Sequence, residues 1–264
     1  MKTNLINTIK VQKSNIFDGL EIKSATFLDK CFPTHFHTDW SLTFIEKGSE
    51  NIAFKDFEFL MHSSAVVLIP PNSIHKNWGN KKSIWTYRSL YINEDVVKYI
   101  CKKQKLDYTQ ILELPYYIKY INSPINVSQK SLAQLIKTLL LENISSGILK
   151  KTVEHKSSYF NEVLTHLVDN YNKKIKLDDL EKQFCANKFK IQKQFKKFIG
   201  ITPLEYQTTM RIENSKRLFF EDISISQIAL EVGFYDQSHF SHYFKKYVGV
   251  SPGIYKVNSK ILQD

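Results

Sequence analysis

Residues 224–256, SISQIALEVGFYDQSHFSHYFKKYVGVSPGIYK, decide the fold of the C-terminal part of this chain. The Ser-x-x-Gln capping box at 224–227 predicts the start of a helix, and Gly233 supplies the turn that follows it. Asp236 caps a second helix, which we expect to end at Gly249. Two helices joined by a short turn form a helix-turn-helix unit, whose second helix enters the major groove of DNA.

The chain contains a second copy of this unit. FKKFIGITPLEY, beginning at Phe195, repeats in register as FKKYVGVSPGIY, beginning at Phe244. A short helix from Leu177 and a helix capped by Asn187 complete the first copy. Thr202 opens a further helix through a capping box, and this helix joins the two units as a semi-rigid spacer. Such a repeat indicates two copies of one supersecondary unit.

The second helix of each unit has one apolar face, spaced to meet a core, and one polar face. The polar faces carry groups that suit base edges and phosphates: Lys188, Phe189, Gln192, Lys193 and Lys196 in the first unit, and Gln237, Ser238, Ser241, His242 and Lys245 in the second. The formal net charge of +11 also favours an anionic partner.

The N-terminal part has a different pattern. Stretches rich in β-branched and aromatic residues, broken by Gly, Pro, Asn or Ser, predict strands of an all-β sandwich or barrel at 20–28, 41–48, 50–60, 65–71 and 83–92. Helical periodicity follows at 93–104 and 128–144. The second of these helices has an apolar stripe that packs either on its own barrel or on a partner helix: Leu132, Leu135, Ile136, Leu139 and Leu140. We expect two domains, 1–146 and 158–264, joined by a linker at 147–157.

Residues 224–256 closely resemble the signature of the AraC/XylS family of bacterial transcription regulators, and the resemblance extends back to about Leu177. It implies a sequence-specific regulator, more commonly an activator, with double-stranded DNA and RNA polymerase as partners. The family's base-contacting positions fall on Phe189, Gln192, Lys193, Ser238, His239 and His242. Contacts to the DNA backbone are then expected from Lys188, Lys196, Gln237, Ser241 and Lys245.

Two positions depart from the family pattern. Glu181 stands where the family usually has a small Ala between the helices of the first unit, and His242 replaces the usual Arg. Burying an unpaired carboxylate is costly, so either that helix shifts or Glu181 reaches solvent or a partner.

The N-terminal part resembles the cupin-like sensing domain of the same family through PTHFHTDWSLTFIEKG, from Pro33, and LIPPNSIH, from Leu68. The fold class expected is α+β multidomain, with a cupin-like β-barrel and helical dimerisation segment before an all-α domain of two helix-turn-helix units. The resemblance implies a homodimer formed through the Leu132 to Leu140 stripe. It also implies a small-molecule effector pocket, lined by His35, His37, Trp40, Phe44, His75, Trp78 and Trp85.

Metal binding is a separate question. In metal cupins a Glu follows the His-x-His pair, but here those positions are Ser41 and Leu42. Three histidines, His35, His37 and His75, are still able to form a zinc or iron site. We expect no metal, no other cofactor and no enzymatic activity. The alternatives are a metal-dependent cupin enzyme with an accessory helical domain, and a DNA-binding dimer that senses no effector.

Membrane and disulfide chemistry are not indicated. No stretch reaches the roughly 18 apolar residues that span a bilayer, and no apolar signal core follows the N-terminus, so we expect a cytoplasmic protein. Cys31, Cys101 and Cys185 are odd in number and lack a CxxC spacing, which predicts reduced thiols.

Overall fold

The computed structural model describes residues 7–14, 20–63, 65–80, 83–114, 116–120, 129–145 and 158–261. The chain divides into two compact units. The first unit comprises Met1–Cys31, Phe36–Thr152 and Val257–Asp264, and the second comprises Phe32–His35 and Val153–Lys256.

The first unit is rich in antiparallel strands, as the sequence predicted. One sheet has seven strands in the order β10-β1-β2-β8-β3-β6-β9, and a second sheet has three in the order β5-β4-β7. The strands are β1 (Thr8–Ser14), β2 (Leu20–Leu28), β3 (Trp40–Lys47), β4 (Ser49–Ala53), β5 (Glu58–His62), β6 (Ala65–Ile69), β7 (Lys76–Gly79), β8 (Ile84–Ile92), β9 (Tyr117–Tyr120) and β10 (Ser259–Ile261). The tail strand β10 pairs in parallel with β1, so the C-terminal end of the predicted domain 158–264 groups with the first unit.

Period-2 alternation gives the large sheet two faces. On β3, Trp40, Leu42 and Phe44 lie on one face, in a hydrophobic core that also contains residues of α1 (Glu94–Gln104) and α3 (Gln129–Ser145). A short helix, α2 (Tyr108–Ile111), lies between these two in sequence. The other face carries Ser41 and Thr43, whose hydroxyls hydrogen-bond to each other.

The apolar stripe of α3 packs within its own chain. Leu132, Ile136, Leu139 and Leu140 are each 0% exposed, and Leu135 packs partly buried against the same core. Because this surface is already removed from water, it offers a second chain little further apolar burial. In this structure the stripe therefore packs on its own chain, which is one of the two predicted alternatives.

The second unit is helical: α4 (Ser158–Asp169), α5 (Leu177–Gln183), α6 (Lys188–Phe198), α7 (Pro203–Leu218), α8 (Ile225–Glu231), α9 (Gln237–Val248) and α10 (Pro252–Asn258). The predicted caps are present. Asn187 accepts a hydrogen bond from the Phe189 N–H, and Asp236 accepts one from His239. Thr202 and Ser224 form capping boxes, and Gly249 ends α9 in the left-handed conformation. Local chemistry thus sets where α6 and α9 begin and where α9 ends.

Three further predictions concern the linker, membrane-spanning helices and the cysteines. The predicted linker 147–157 lies outside the described residues. Among the helices of the described part, none combines the length and apolarity that a bilayer crossing requires. Disulfide bonds involve none of Cys31, Cys101 and Cys185, and burial raises the pKa of Cys101 to about 11.

Candidate nucleic-acid interface and effector site

The second helices of the two units, α6 and α9, each have one buried and one solvent face. Ile191 and Phe195 anchor α6, and Phe240 and Phe244 anchor α9, all at 1% exposure or less. The residues predicted to contact bases lie opposite. Phe189 is 67% exposed, Lys193, Ser238, His239 and His242 are exposed, and Gln192 is half-buried. The structure therefore turns all six toward solvent, as a helix that enters a groove requires.

The predicted phosphate contacts are placed less uniformly. Lys196, Gln237 and Lys245 are exposed, whereas Lys188 and Ser241 are half-buried. The ammonium of Lys188 is bonded to Asp178, and this bond lowers the pKa of the carboxyl. The Lys196 Nζ lies 3.2 Å from Glu205. In the first helix-turn-helix, two of the lysines predicted to contact phosphates are therefore already paired with carboxylates.

Glu181 has a hydrogen-bond partner, so its carboxylate is not left unpaired between the helices. Its Oε1 accepts the backbone N–H of Lys188 at 3.1 Å, so the carboxylate satisfies the first free donor of α6. Asn187 satisfies the next donor, Phe189 N–H. A negative charge at a helix N-terminus also interacts favourably with the helix dipole. Glu181 therefore fixes the start of α6 and does not distort the first helix-turn-helix.

We predict that Glu181→Ala, which restores the family's usual residue, destabilises the protein by about 1 kcal/mol because it removes a cap. Glu181→Gln keeps an acceptor oxygen and should lose less. The measurement is urea unfolding followed by far-ultraviolet circular dichroism, which the helical unit dominates. An alanine variant as stable as the wild type would show that the carboxylate contributes nothing as a cap.

Helix α7, which joins the two helix-turn-helix units, holds the loop between α4 and α5. Gln207 Nε2 donates to the carbonyls of Tyr171 and Lys173 at 3.0 and 2.8 Å. Arg211 donates to the same two carbonyls at 2.7 and 2.8 Å, and its guanidinium lies over the Phe234 ring. Gly233, in the turn of the second helix-turn-helix, packs directly on the backbone of Asn172 in this loop. One loop thus ties the turn of the second helix-turn-helix to the linker helix.

The residues predicted to line an effector pocket fall into separate groups. Trp40 and Phe44 lie on the helix-covered face of the sheet, where the Trp40 Nε1 donates to Tyr108 Oη at 3.1 Å. Trp85 is fully buried and packs on Gly79, where any Cβ would collide with its ring. Trp78 is half-buried, with the Lys76 ammonium over its ring.

Two of the three predicted histidines lie together in the first unit, where the rings of His37 and His75 have centroids 5.2 Å apart. His35 groups with the second unit. His35 and His75 are buried. The rings of His37 and Tyr91 meet edge to face, with centroids 5.0 Å apart.

Sequence reasoning missed a polar group in the interior of the first unit. Glu50 is 2% exposed and accepts a hydrogen bond from Asn77, and Lys23 and Tyr87 are also buried beside it. Burial raises the pKa of Glu50 to about 7, although Asn77 and Lys23 act in the opposite direction. The pKa of Tyr87 is raised by burial and by Glu50. Strand alternation was the available signal, since Glu50 is in phase with the buried Ile52.

Two models of known families match the chain. An AraC-like ligand binding domain matches residues 19–149, and a helix-turn-helix domain matches residues 180–257. The chain belongs to the AraC family of transcription regulators. As an AraC-type regulator it combines an N-terminal ligand-binding domain with a C-terminal DNA-binding domain.

Relatives of this AraC-type chain include the uncharacterized HTH-type transcriptional regulator YbfI of Bacillus subtilis, 27% identical over 79% of this chain and 81% of YbfI. The transcriptional regulatory protein HptR of Staphylococcus aureus is 28% identical over 55% of this chain, and the match spans 62% of HptR. Crystal structures of ToxT from Vibrio cholerae share the fold. The form with bound unsaturated fatty acid has a TM-score of 0.61 and 18% identity, over 90% of this chain and 94% of ToxT.

Proposed function

We propose that this regulator reads double-stranded DNA through the solvent faces of α6 and α9. The base contacts come from Phe189, Gln192 and Lys193 in the first helix-turn-helix, and from Ser238, His239 and His242 in the second. The phosphate contacts come from Lys188, Lys196, Gln237, Ser241 and Lys245. The carrying observation is that a fully buried aromatic core holds each helix while every proposed base-contacting residue has side-chain surface in solvent.

Base and phosphate contacts predict different mutant behaviour. Gln192→Ala or Ser238→Ala should relax preference at particular base pairs by about 1 to 3 kcal/mol, because a base-edge hydrogen bond is lost. Lys245→Ala should weaken binding to all sequences and reduce the salt slope by about 1. A binding selection over random DNA at two salt concentrations measures both effects.

Lys98→Ala is the matched control, because it removes the same positive charge from the first unit. It should leave both the base preference and the salt slope near the wild-type values. If the variants at Gln192, Ser238 and Lys245 behave identically, the division into base and phosphate contacts is wrong.

The proposed effector site lies in the first unit, near Trp85 and Asn77. The Trp85 Nε1 and Asn77 Oδ1 are buried with no hydrogen-bond partner among the residues that the structure describes. Buried polar atoms are nearly always satisfied, so a ligand that supplies an acceptor and a donor would complete both groups. Of the other predicted pocket residues, His37, His75 and Trp78 stay in this proposal, whereas Trp40 and Phe44 already fill the core under the helices.

Thermal unfolding tests the effector. Because Trp40, Trp78 and Trp85 are all the tryptophans of the chain, their fluorescence reports on the first unit alone. A metabolite panel that includes an unsaturated fatty acid, the ligand in one ToxT structure, should contain a compound that raises the midpoint by mass action. That compound should also change DNA affinity, since an effector acts through differential affinity for two states. A compound that stabilises without changing DNA affinity would contradict regulation through this site.

The wider proposal is an activator in the cytoplasm that contacts RNA polymerase and acts as a homodimer without catalysing a reaction. A metal-dependent cupin enzyme is less favoured, because the buried Ser41 hydroxyl, bonded to Thr43, stands where metal cupins carry a carboxylate. Sedimentation at increasing concentration tests the homodimer.

A further inference from the structure

We infer that Tyr235 is a further specificity-determining residue of the second helix-turn-helix, and that its ring contacts the C5-methyl group of a thymine beside the base pairs that α9 reads. Tyr235 is 88% exposed and directly precedes Asp236, the N-cap of α9. The proposed DNA contacts of α9 do not include it. The inference rests on the proposed function, because it requires that α9 lies in the major groove.

The turn of the second helix-turn-helix is one residue longer than that of the first. Four residues separate α5 from α6, whereas five separate α8 from α9. Each turn contains a residue of positive φ, Cys185 at +48° and Gly233 at +90°. The next residue, Ala186 or Phe234, is buried and donates its backbone N–H to the carbonyl five positions earlier. The N-cap of α6 follows at once, but Tyr235 stands before the N-cap of α9 and is therefore the additional residue.

The residues on both sides of Tyr235 are held in place. Phe234 is 4% exposed, and its ring centroid lies 5.4 Å from that of His239 and 5.3 Å from that of Phe240. The Asp236 carboxylate accepts the backbone N–H of His239 at 2.7 Å. The main chain at Tyr235 is thereby fixed while its side chain stays in solvent. A tyrosine side chain supplies a large contact area at a low cost in conformational entropy, so this position is prepared for a partner.

The location and chemistry of this side chain favour a base over the DNA backbone. A recognition helix contacts base edges with its N-terminal residues, and residues 235–239 at this end of α9 are all exposed. In the major groove, apolar side chains recognise thymine through its C5-methyl group. Tyr235 has no positive charge to attract a phosphate, and the adjacent carboxylate of Asp236 repels one. The ring of Tyr235 therefore suits a thymine methyl better than a phosphate.

A binding selection over random DNA, followed by removal of single methyl groups, tests the contact with the full-length chain. Tyr235→Ala should lose the preference for thymine at one base pair, whereas Tyr235→Phe keeps the ring and should retain it. Deoxyuridine at that position of the selected site removes only the methyl group. It should weaken wild-type binding by about fourfold, the effect of one buried methyl group. The same replacement should leave binding by Tyr235→Ala unchanged.

Tyr99→Ala is the matched control, because Tyr99 is a 62% exposed tyrosine on α1 of the first unit. It should select the same sequences as the wild type. Urea unfolding should show Tyr235→Ala to be as stable as the wild type, since the ring it removes lies in solvent.

The outcomes separate this inference from the proposed function. If Ser238→Ala changes a base preference and Tyr235→Ala changes none, the role of Tyr235 is wrong and the proposed function stands. If neither variant changes any preference, the proposed function fails with it. Equal weakening of all sequences by Tyr235→Ala would indicate a contact with the DNA backbone and overturn the inference. An equal effect of deoxyuridine on wild type and Tyr235→Ala would overturn the methyl contact.

Discussion

Gly233→Ala is expected to destabilise the second unit by at least about 3 kcal/mol, because two penalties combine. Gly233 has φ +90°, a conformation that strains any residue with a Cβ. A Cβ there would also lie well inside 3.0 Å of the backbone of Asn172, and a backbone cannot rotate away as a side chain can. Far-ultraviolet circular dichroism during urea unfolding measures the loss.

The clash should also reduce DNA affinity while the protein stays folded at low temperature. Gln207 and Arg211 of α7 hold the loop that contains Asn172. A Cβ that pushes Gly233 away from this loop should therefore move α9 relative to α7. Binding to a selected site should then weaken more than binding to bulk DNA, because phosphate contacts tolerate misplacement better than base contacts do.

Gly253→Ala is the matched control for this substitution. Gly253 lies in α10, its φ is ordinary, and a Cβ there would meet nothing within 4 Å. Alanine favours a helix by up to about 1 kcal/mol over glycine, so this variant should equal or exceed the wild type in stability. If both glycine variants unfold alike, the contact with Asn172 does not carry the effect.

The helical part of the fold could be predicted closely because its signals are local. Asn187, Asp236 and Gly249 act within four residues of the backbone groups they satisfy, so the chain near each position already contains the interactions that begin or end the helix. The strands β1, β7 and β9 had no such signal. They form because longer strands beside them supply the hydrogen-bond partners, and pairing of that kind is non-local.

The side-chain contacts of the apolar and charged residues were harder to predict. The stripe at Leu132 and Ile136 has the same periodicity whether it meets its own sheet or a second chain, and only packing distinguishes the two. For Glu181 the sequence left open whether the helix shifts or the carboxylate reaches solvent or a partner, because its acceptor role depends on the start of α6 being within reach. Glu50 was missed because a charged residue normally indicates a surface position, and only its phase with Ile52 on β4 places it inside.

Glu50→Gln is expected to remove a pH dependence from the stability of the first unit. In the folded chain the pKa of Glu50 is about 7, raised by burial from 4.5. Between these values the folded state keeps a proton that the unfolded chain has released. The stabilising contribution is therefore complete below the unfolded pKa and is lost as the pH rises through the folded pKa. At about 1.4 kcal/mol per pKa unit the loss amounts to at most about 3.5 kcal/mol.

Glutamine keeps the shape and an acceptor oxygen for Asn77 but never ionises. The difference in unfolding free energy between wild type and variant, followed by tryptophan fluorescence from about pH 5 to about pH 8, isolates Glu50 because all other groups cancel. Across this range the unfolding free energy of the wild type should fall relative to that of the variant. Glu58→Gln, at an exposed position on the adjacent strand β5, should show no such trend. A difference that stays constant with pH would mean that Glu50 remains ionised inside the folded unit, with Lys23 and Asn77 outweighing the effect of burial.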